Sequence, residues 1–186
     1  FIFTFDSLPS SAEEKTKLIR FRVKKQMPLL PHDARMAFET SAFQEGIRVV
    51  VTVAKAAVIR EYEDLLQKLR FKVALAGVSS LSLLSLLDPE KEKDFILLDV
   101  EDDSFSLLAV IDGLASLYRQ KPFGINAGGG SDAAVKADNI LQEVVNTINF
   151  IRDKEKKQIA SVWLRLGILH AEDGLFSRME DRLALP

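Results

Sequence analysis

The sequence predicts an α/β protein, because apolar runs of strand length alternate with stretches whose apolar residues recur at helical spacing. The stretch that organises the chain covers residues 94–113, where two apolar runs, 95–98 and 107–111, flank an acidic turn. Neither run alternates with polar residues, so we expect both faces of this hairpin to be covered, as in the middle of a sheet between helices. A chain of 186 residues suits one domain or two small lobes.

The composition argues against several classes of protein. The net charge of −2 and the pI of about 5.8 argue against a broad surface for nucleic acid or anionic lipid. The chain has no cysteine, which excludes disulfides, thiolate catalysis and cysteine-ligated metal. No apolar run reaches the roughly 18 residues that a transmembrane helix needs. Because the chain begins without methionine, inside an apparent strand, we expect it to be a fragment of a longer protein.

The first 53 residues predict a small α+β unit with an unusual helix. Strands are predicted at 1–5, 34–43 and 47–53. The helix begins at a capping box, at Ser10 or at Ser11, and ends before Pro28. Its apolar residues form two nearly opposite faces, so we expect either packing on both sides or one face that is offered to a partner. One face consists of Ile19, Val23 and Met27, and the other of Leu18 and Phe21, flanked by Arg22 and Lys25.

Helices and strands continue to alternate through the rest of the chain. A helix over 55–70 leads to a strand over 71–76, which is expected to lie parallel to the strand at 47–53 in a crossover unit. A short helix over 79–87 precedes the central hairpin, and a third strand over 115–120 extends the hairpin to a meander. The remaining predicted elements are a helix over 131–157, a strand over 159–166 and a closing helix over 175–183.

Few residues suggest a chemical reaction. His32 and His170 each lack a nearby second ligand, which is typical of surface or capping histidines. No Walker loop, nucleophile elbow or G-x-G-x-x-G motif is present. The glycine run 128–130 precedes a helix and would suit an anion or, more commonly, a flexible joint. The acidic residues of the hairpin are either Mg²⁺ ligands or ordinary turn residues: Asp99, Glu101, Asp102 and Asp103.

Three stretches carry a resemblance to a known family. The first combines an L-P pair, a helix with Arg20-Phe21-Arg22 and a proline stop. The second is a helix with Tyr62-Glu63-Asp64-Leu65-Leu66, and the third is the hairpin ILLDVEDDSFSLLAVIDG. In this order the motifs resemble the PilM family, actin-like proteins of the type IV pilus inner-membrane platform. The resemblance covers most of residues 7–120 and continues weakly to the end. The cytoplasmic domain of the type II secretion protein GspL and the division protein FtsA share this architecture.

The resemblance implies an α/β, actin-like (ribonuclease H-like) fold. Residues 1–53 would be part of a first lobe, incomplete in this chain, with a small α+β insertion subdomain, and residues 54–186 would form the second lobe. The implied partner is a PilN-like inner-membrane protein, whose N-terminal cytoplasmic peptide binds beside the insertion lobe. A secretion ATPase is a second candidate partner, an oligomer is compatible with the resemblance, and no nucleic acid is expected. The protein would lie in the cytoplasm, peripheral to the inner membrane. The candidate peptide-binding residues are Leu18, Phe21, Arg22 and Lys25.

The resemblance also implies where a nucleotide site would lie and that this site is degenerate. The actin-like phosphate hairpin has a glycine two residues after its aspartate, whereas this chain keeps Asp99 but has Glu101, whose charge would repel a phosphate. Of the usual adenosine-loop glycines, only Gly167 remains. The remnants of the site are Asp99, Asp102, Ser104, Ser106 and Gly167.

Two functions of different classes follow. The first is a non-catalytic scaffold of a type IV pilus platform, without a cofactor, a metal site or catalytic residues. The alternative is an actin-like ATPase that binds ATP and Mg²⁺, or a GspL-like type II secretion component. Glu101 and the lost glycines favour the scaffold.

Overall fold

The structure is a computed structural model that describes residues 1–44, 46–87, 93–123, 133–167 and 175–183. The chain forms two compact units, Phe1–Val78 and Ser79–Pro186, called unit 1 and unit 2 below. Within the described ranges, no helix is both long enough and apolar enough to cross a lipid bilayer.

Unit 1 contains a three-stranded antiparallel sheet with one helix packed on it. Its elements are β1 (Ile2–Phe5), α1 (Ala12–Gln26), β2 (Arg35–Phe43), β3 (Gly46–Ala54) and α2 (Ala56–Lys68). The strand order is β1-β3-β2, so β3 pairs on both sides, as the prediction of a strand over 47–53 required. The core lies between α1 and the sheet, where Ile19 and Val23 meet Val49 and Val51. All four side chains are almost completely buried.

The ends of α1 follow from its sequence. Ser11 is the N-cap, and its hydroxyl accepts a hydrogen bond from the Glu14 amide at 3.5 Å, which confirms the predicted capping position. The helix ends at Gln26, two residues before Pro28. The prediction that Met27 packs with Ile19 and Val23 is wrong: Met27 is 42% exposed. It occupies the C-cap, where the backbone leaves the helix and the 3.6-residue period no longer applies.

The predicted strand over 71–76 is absent. Residues 71–78 have no regular structure and pair with no strand, so the crossover unit with β3 is also wrong. The predicted lobe boundary after residue 53 differs from the compact division after Val78, which groups α2 with unit 1. Two ion pairs connect α2 to the rest of unit 1: Arg35 bonds Glu63 at 2.6 Å, and Arg60 lies 3.5 Å from Asp33. Which lobe each unit represents stays a prediction.

Unit 2 contains a four-stranded sheet with helices on both faces. Its elements are α3 (Ser79–Leu83), β4 (Phe95–Val100), β5 (Ser104–Ile111), β6 (Leu114–Pro122), α4 (Ala133–Glu155), β7 (Ser161–Leu166) and α5 (Leu175–Leu183). The strand order is β6-β5-β4-β7, with β7 parallel to β4 and the other pairs antiparallel. The predicted meander, long helix, last strand and closing helix are therefore confirmed within the described ranges.

The central hairpin of unit 2 is buried on both faces, as its unbroken apolar runs predict. One face packs against α4 and α5 through residues such as Ile96, Leu98 and Val144. The other face, including Leu97 and Leu108, packs against leucines of α3 and the 3-10 turn Leu84–Leu86 that follows it. Full burial of each such leucine contributes about 1.5–3 kcal/mol. The acidic turn between β4 and β5 is thus held at the end of the two best-buried strands.

Candidate functional site

The candidate site lies where the buried hairpin of unit 2 reaches its acidic turn. Asp99 is the last but one residue of β4, and the sheet register places it beside Ser106 of β5 and Arg165 of β7. Register partners on neighbouring strands project their side chains to the same face of a sheet. An acid, a hydroxyl and a base therefore meet on one face, on three adjacent strands.

The Asp99 carboxylate uses both of its oxygens. It is only 2% exposed. Arg165 Nη1 donates to Oδ1 at 2.7 Å, while the hydroxyls of Ser79 and Ser80 donate to Oδ2 at 3.0 and 3.3 Å. The Ser80 and Ser106 hydroxyls share a further hydrogen bond of 2.7 Å. A buried carboxylate is costly unless it is paired and hydrogen-bonded, and here strand β7 and helix α3 together supply that compensation.

Arg165 bridges two carboxylates. The same Nη1 that bonds Asp99 also donates to Glu101 Oε1. The hydrogen bonds to Asp99 and then to Glu101 raise the pKa of Arg165 above its ordinary value. Arg165 and Glu101 are both partly exposed, at 41% and 46% of their side chains, so solvent screens the outer half of the bridge more than the inner half.

Gly167 lies against the same turn. Its amide donates to the Val100 carbonyl at 2.8 Å, just beyond the end of β7. A Cβ at this position would lie 3.3 Å from that carbonyl oxygen and 3.5 Å from Glu101 Oε2. Such a contact is tighter than most Cβ contacts, so the close approach of the two chain segments explains the glycine.

Not all predicted remnants of the nucleotide site come together. Asp99, Ser106 and Gly167 lie around the Arg165 bridge, as described above. The Ser104 hydroxyl instead donates to Asp103 Oδ1 at 2.9 Å. Asp102 is exposed in the turn, and its carbonyl accepts from Lys136 Nζ at 3.4 Å. The turn is therefore closed by internal contacts at both of its ends.

Ser79, Ser80 and Arg165 were missed by sequence reasoning. The available signal for Arg165 was a single base inside the otherwise apolar run VWLRLG, and for the serines a Ser-Ser pair before an apolar helix. Neither signal names Asp99 as the partner, because the partner is fixed by the register between β4 and β7.

The described acidic residues of the turn are not arranged as a Mg²⁺ site. Among them, no group of three acidic or histidine side chains is placed to hold a metal ion. Both oxygens of Asp99 already accept hydrogen bonds, and Glu101 accepts from Arg165. His32 is exposed, and only its backbone carbonyl is bonded, by Arg20. His170 and the glycine run 128–130 lie outside the described residues.

A second candidate surface is the outward face of α1, called the Phe21 surface and made of Phe21 with Arg22 and Lys25. The Phe21 side chain is 64% exposed. The Arg22 guanidinium lies 5.4 Å from the centre of the Phe5 ring, and Lys25 is exposed. Leu18, which was predicted as part of this face, is half-buried and packs against the core of unit 1.

Comparison with known proteins identifies the fold of the chain through solved structures and not through its sequence. No family model matches the sequence, and no curated protein matches it either. Among solved structures, the whole chain superposes on a chain of the PilM–PilN type IV pilus biogenesis complex, with a TM-score of 0.74 and 16% identity. A protein of unknown function with an actin-like ATPase fold, from Bacteroides thetaiotaomicron, matches 99% of the chain with a TM-score of 0.52 and 9% identity.

The chain has an actin-like fold. The resemblance to PilM that the sequence motifs predict is thereby confirmed at the level of the fold. The chain spans 64% of the length of the matched chain from the PilM–PilN complex and 63% of the other.

Proposed function

We propose that the chain is a scaffold of a type IV pilus assembly platform that binds a peptide of a PilN-like membrane protein and does not use ATP. The observation that carries the proposal is the superposition of the entire chain on a structure solved as a PilM–PilN complex. A PilN-like partner would hold the protein at the inner membrane, as the resemblance implies.

The Arg165 bridge supports the absence of ATP chemistry. A nucleotide phosphate held at this hairpin would need backbone amides and a cation facing it. Instead, the hairpin presents Glu101, while the nearest guanidinium is already bonded to two carboxylates. A phosphate would have to compete with both carboxylates for Arg165 and would be repelled by them.

The Phe21 surface supports a peptide partner. Lysines lie four positions before Phe21 and three and four positions after it, so on a helix they surround the ring. Exposed aromatic side chains with a charged rim are typical anchors of protein interfaces. Covering such a side chain contributes about 1.5–3 kcal/mol before the cost of ordering the peptide.

One titration series tests the proposal. The N-terminal cytoplasmic peptide of a PilN-like protein from the same organism is titrated into the protein by calorimetry, without and then with Mg-ATP. We expect peptide binding that ATP does not change. The melting temperature of the protein is also measured with and without Mg-ATP. An increase would contradict the proposal, because a ligand at 100 times its Kd stabilises the protein that binds it by about 2.7 kcal/mol. Absence of peptide binding would contradict it equally.

A further inference from the structure

We propose that Arg165 is an internal counter-ion that takes the place of a bound cation, so that the hairpin turn of unit 2 is closed without any ligand. This inference rests on the proposed function only in its claim that no nucleotide binds. Its geometric basis is that two carboxylates two positions apart, Asp99 in β4 and Glu101 in the turn, converge on one nitrogen atom of an arginine that lies 64 positions after Glu101 in the sequence.

The convergence is of the kind that a cation needs. One oxygen of Asp99 and one of Glu101 lie within hydrogen-bond distance of the same Nη1. Oxygen ligands surround a divalent cation at about 2.0–2.6 Å, close to the 2.7 Å between Arg165 and Asp99. Without a positive charge between them, two carboxylates at this spacing would repel each other. The guanidinium therefore does the electrostatic work that a metal ion would do here.

The bridge also joins separate elements. Arg165 comes from β7, and it meets Asp99 from a strand 66 positions earlier in the sequence. The same aspartate accepts from Ser79 and Ser80 of α3. One buried carboxylate connects β7, β4 and α3. Removing its counter-ion should therefore destabilise the protein more than removing a surface ion pair does.

An ordinary surface ion pair is the competing explanation. Exposed pairs contribute between zero and about 1 kcal/mol. Arg178 and Asp138 form such a pair in the same unit, with N–O distance 3.4 Å and side chains 45% and 66% exposed. Asp99 differs because its side chain is 2% exposed, and a buried charge left without a partner cannot be compensated by water.

The experiment compares Arg165→Met with Arg178→Met in the same chain, since methionine keeps much of the length of arginine but not its charge. Melting temperatures are measured with a chelator and then with MgCl₂ or MnCl₂. We expect Arg165→Met to melt about 5 °C or more below the parent with chelator. Divalent cation should recover part of that loss, and neither the parent nor Arg178→Met should respond.

Two further variants keep the test decisive. Asp99→Asn added to Arg165→Met should remove both the cation response and much of the instability, because no unpaired buried charge remains. If Arg165→Met alone does not fold, a triple variant that also carries Glu101→Gln should fold, since the repulsion is gone. An Arg165→Met protein as stable as Arg178→Met, or one that ignores divalent cations, would overturn the inference. That result would not contradict the proposed function. The proposed function would be contradicted if Mg-ATP stabilised the parent protein.

Discussion

One helix in each unit carries a long apolar stripe, and the two stripes are buried to opposite extents. In unit 2, α4 contributes an apolar stripe to the core, with Ile140, Leu141, Val144 and Ile151 each at most 2% exposed. In unit 1, α2 and its C-cap residue form an equally regular stripe that remains open, with residues between 43% and 64% exposed: Val58, Tyr62, Leu65 and the C-cap Leu69. The same sequence pattern therefore produces a core helix in one unit and an uncovered apolar face in the other.

The attachment of α2 explains the difference. Of its residues, only Ala56 is buried. Two ion pairs connect it to the rest of unit 1: Arg35–Glu63 links it to β2, and Arg60–Asp33 links it to the residues just before β2. Exposed apolar stripes of this size are characteristic of association surfaces. Both units have a core of their own, but unit 1 also presents an apolar helix face that can be altered with little loss of stability.

The largest expected effect is on stability, and it distinguishes a buried leucine of unit 2 from an exposed leucine of unit 1. Leu98→Ala in β4 removes a side chain with no exposed surface and should destabilise the protein by about 2–5 kcal/mol. Leu65→Ala in α2 removes a side chain that is 55% exposed and should change stability by less than about 0.5 kcal/mol. Urea unfolding of both variants checks the comparison. A large loss in Leu65→Ala would mean that the α2 stripe is already covered in solution.

The next effect concerns binding rather than stability. Phe21→Ala should weaken binding of the PilN-like peptide at least tenfold, which is about 1.4 kcal/mol, while leaving the stability of the protein almost unchanged. Phe176→Ala on α5 is a matched control, because that phenylalanine is 60% exposed against 64% for Phe21. It should leave peptide binding unchanged. If Phe21→Ala instead costs the ~3–5 kcal/mol of stability typical of core aromatics, the ring belongs to the core and the partner binds elsewhere.

Sequence reasoning succeeded where a local pattern decides the structure. The apolar runs of β4 and β5 require cover on both faces, and Ser11 followed by Glu14 marks the start of α1. It failed where a distant partner decides. A strand over 71–76 has the right residues but no neighbour to pair with among those described, and the burial of an apolar stripe cannot be known until its cover is known. The Arg165 bridge depends on a register between β4 and β7 that no local pattern reveals.

A smaller expected effect concerns the acidic turn. Glu101→Gly restores the residue that an actin-like phosphate hairpin has, according to the family resemblance. We expect no measurable ATP affinity, because Arg165 keeps its 2.7 Å bond to Asp99. Asp103→Gly, in the same turn, serves as the control. Calorimetry that detects ATP binding to Glu101→Gly alone would show that Arg165 is available to a phosphate and that the rest of the site is intact.

The smallest expected effect is a pH dependence confined to α2. Arg35 donates hydrogen bonds of 2.6 and 2.9 Å to Glu63, and these bonds hold the pKa of Glu63 below its ordinary value of 4.5. Because the folded-state pKa is depressed, the stabilisation is fully present above that ordinary value and is lost as the pH falls through the lower, folded value. NMR chemical shifts of the α2 amides, followed from neutral to acidic pH, should report the loss of the Arg35–Glu63 contact as Glu63 is protonated. Glu63→Gln should abolish this step while leaving the shifts of α4 unchanged. A step that persists in Glu63→Gln would assign the pH dependence to another carboxylate, with Asp33, the partner of Arg60, as the next to test.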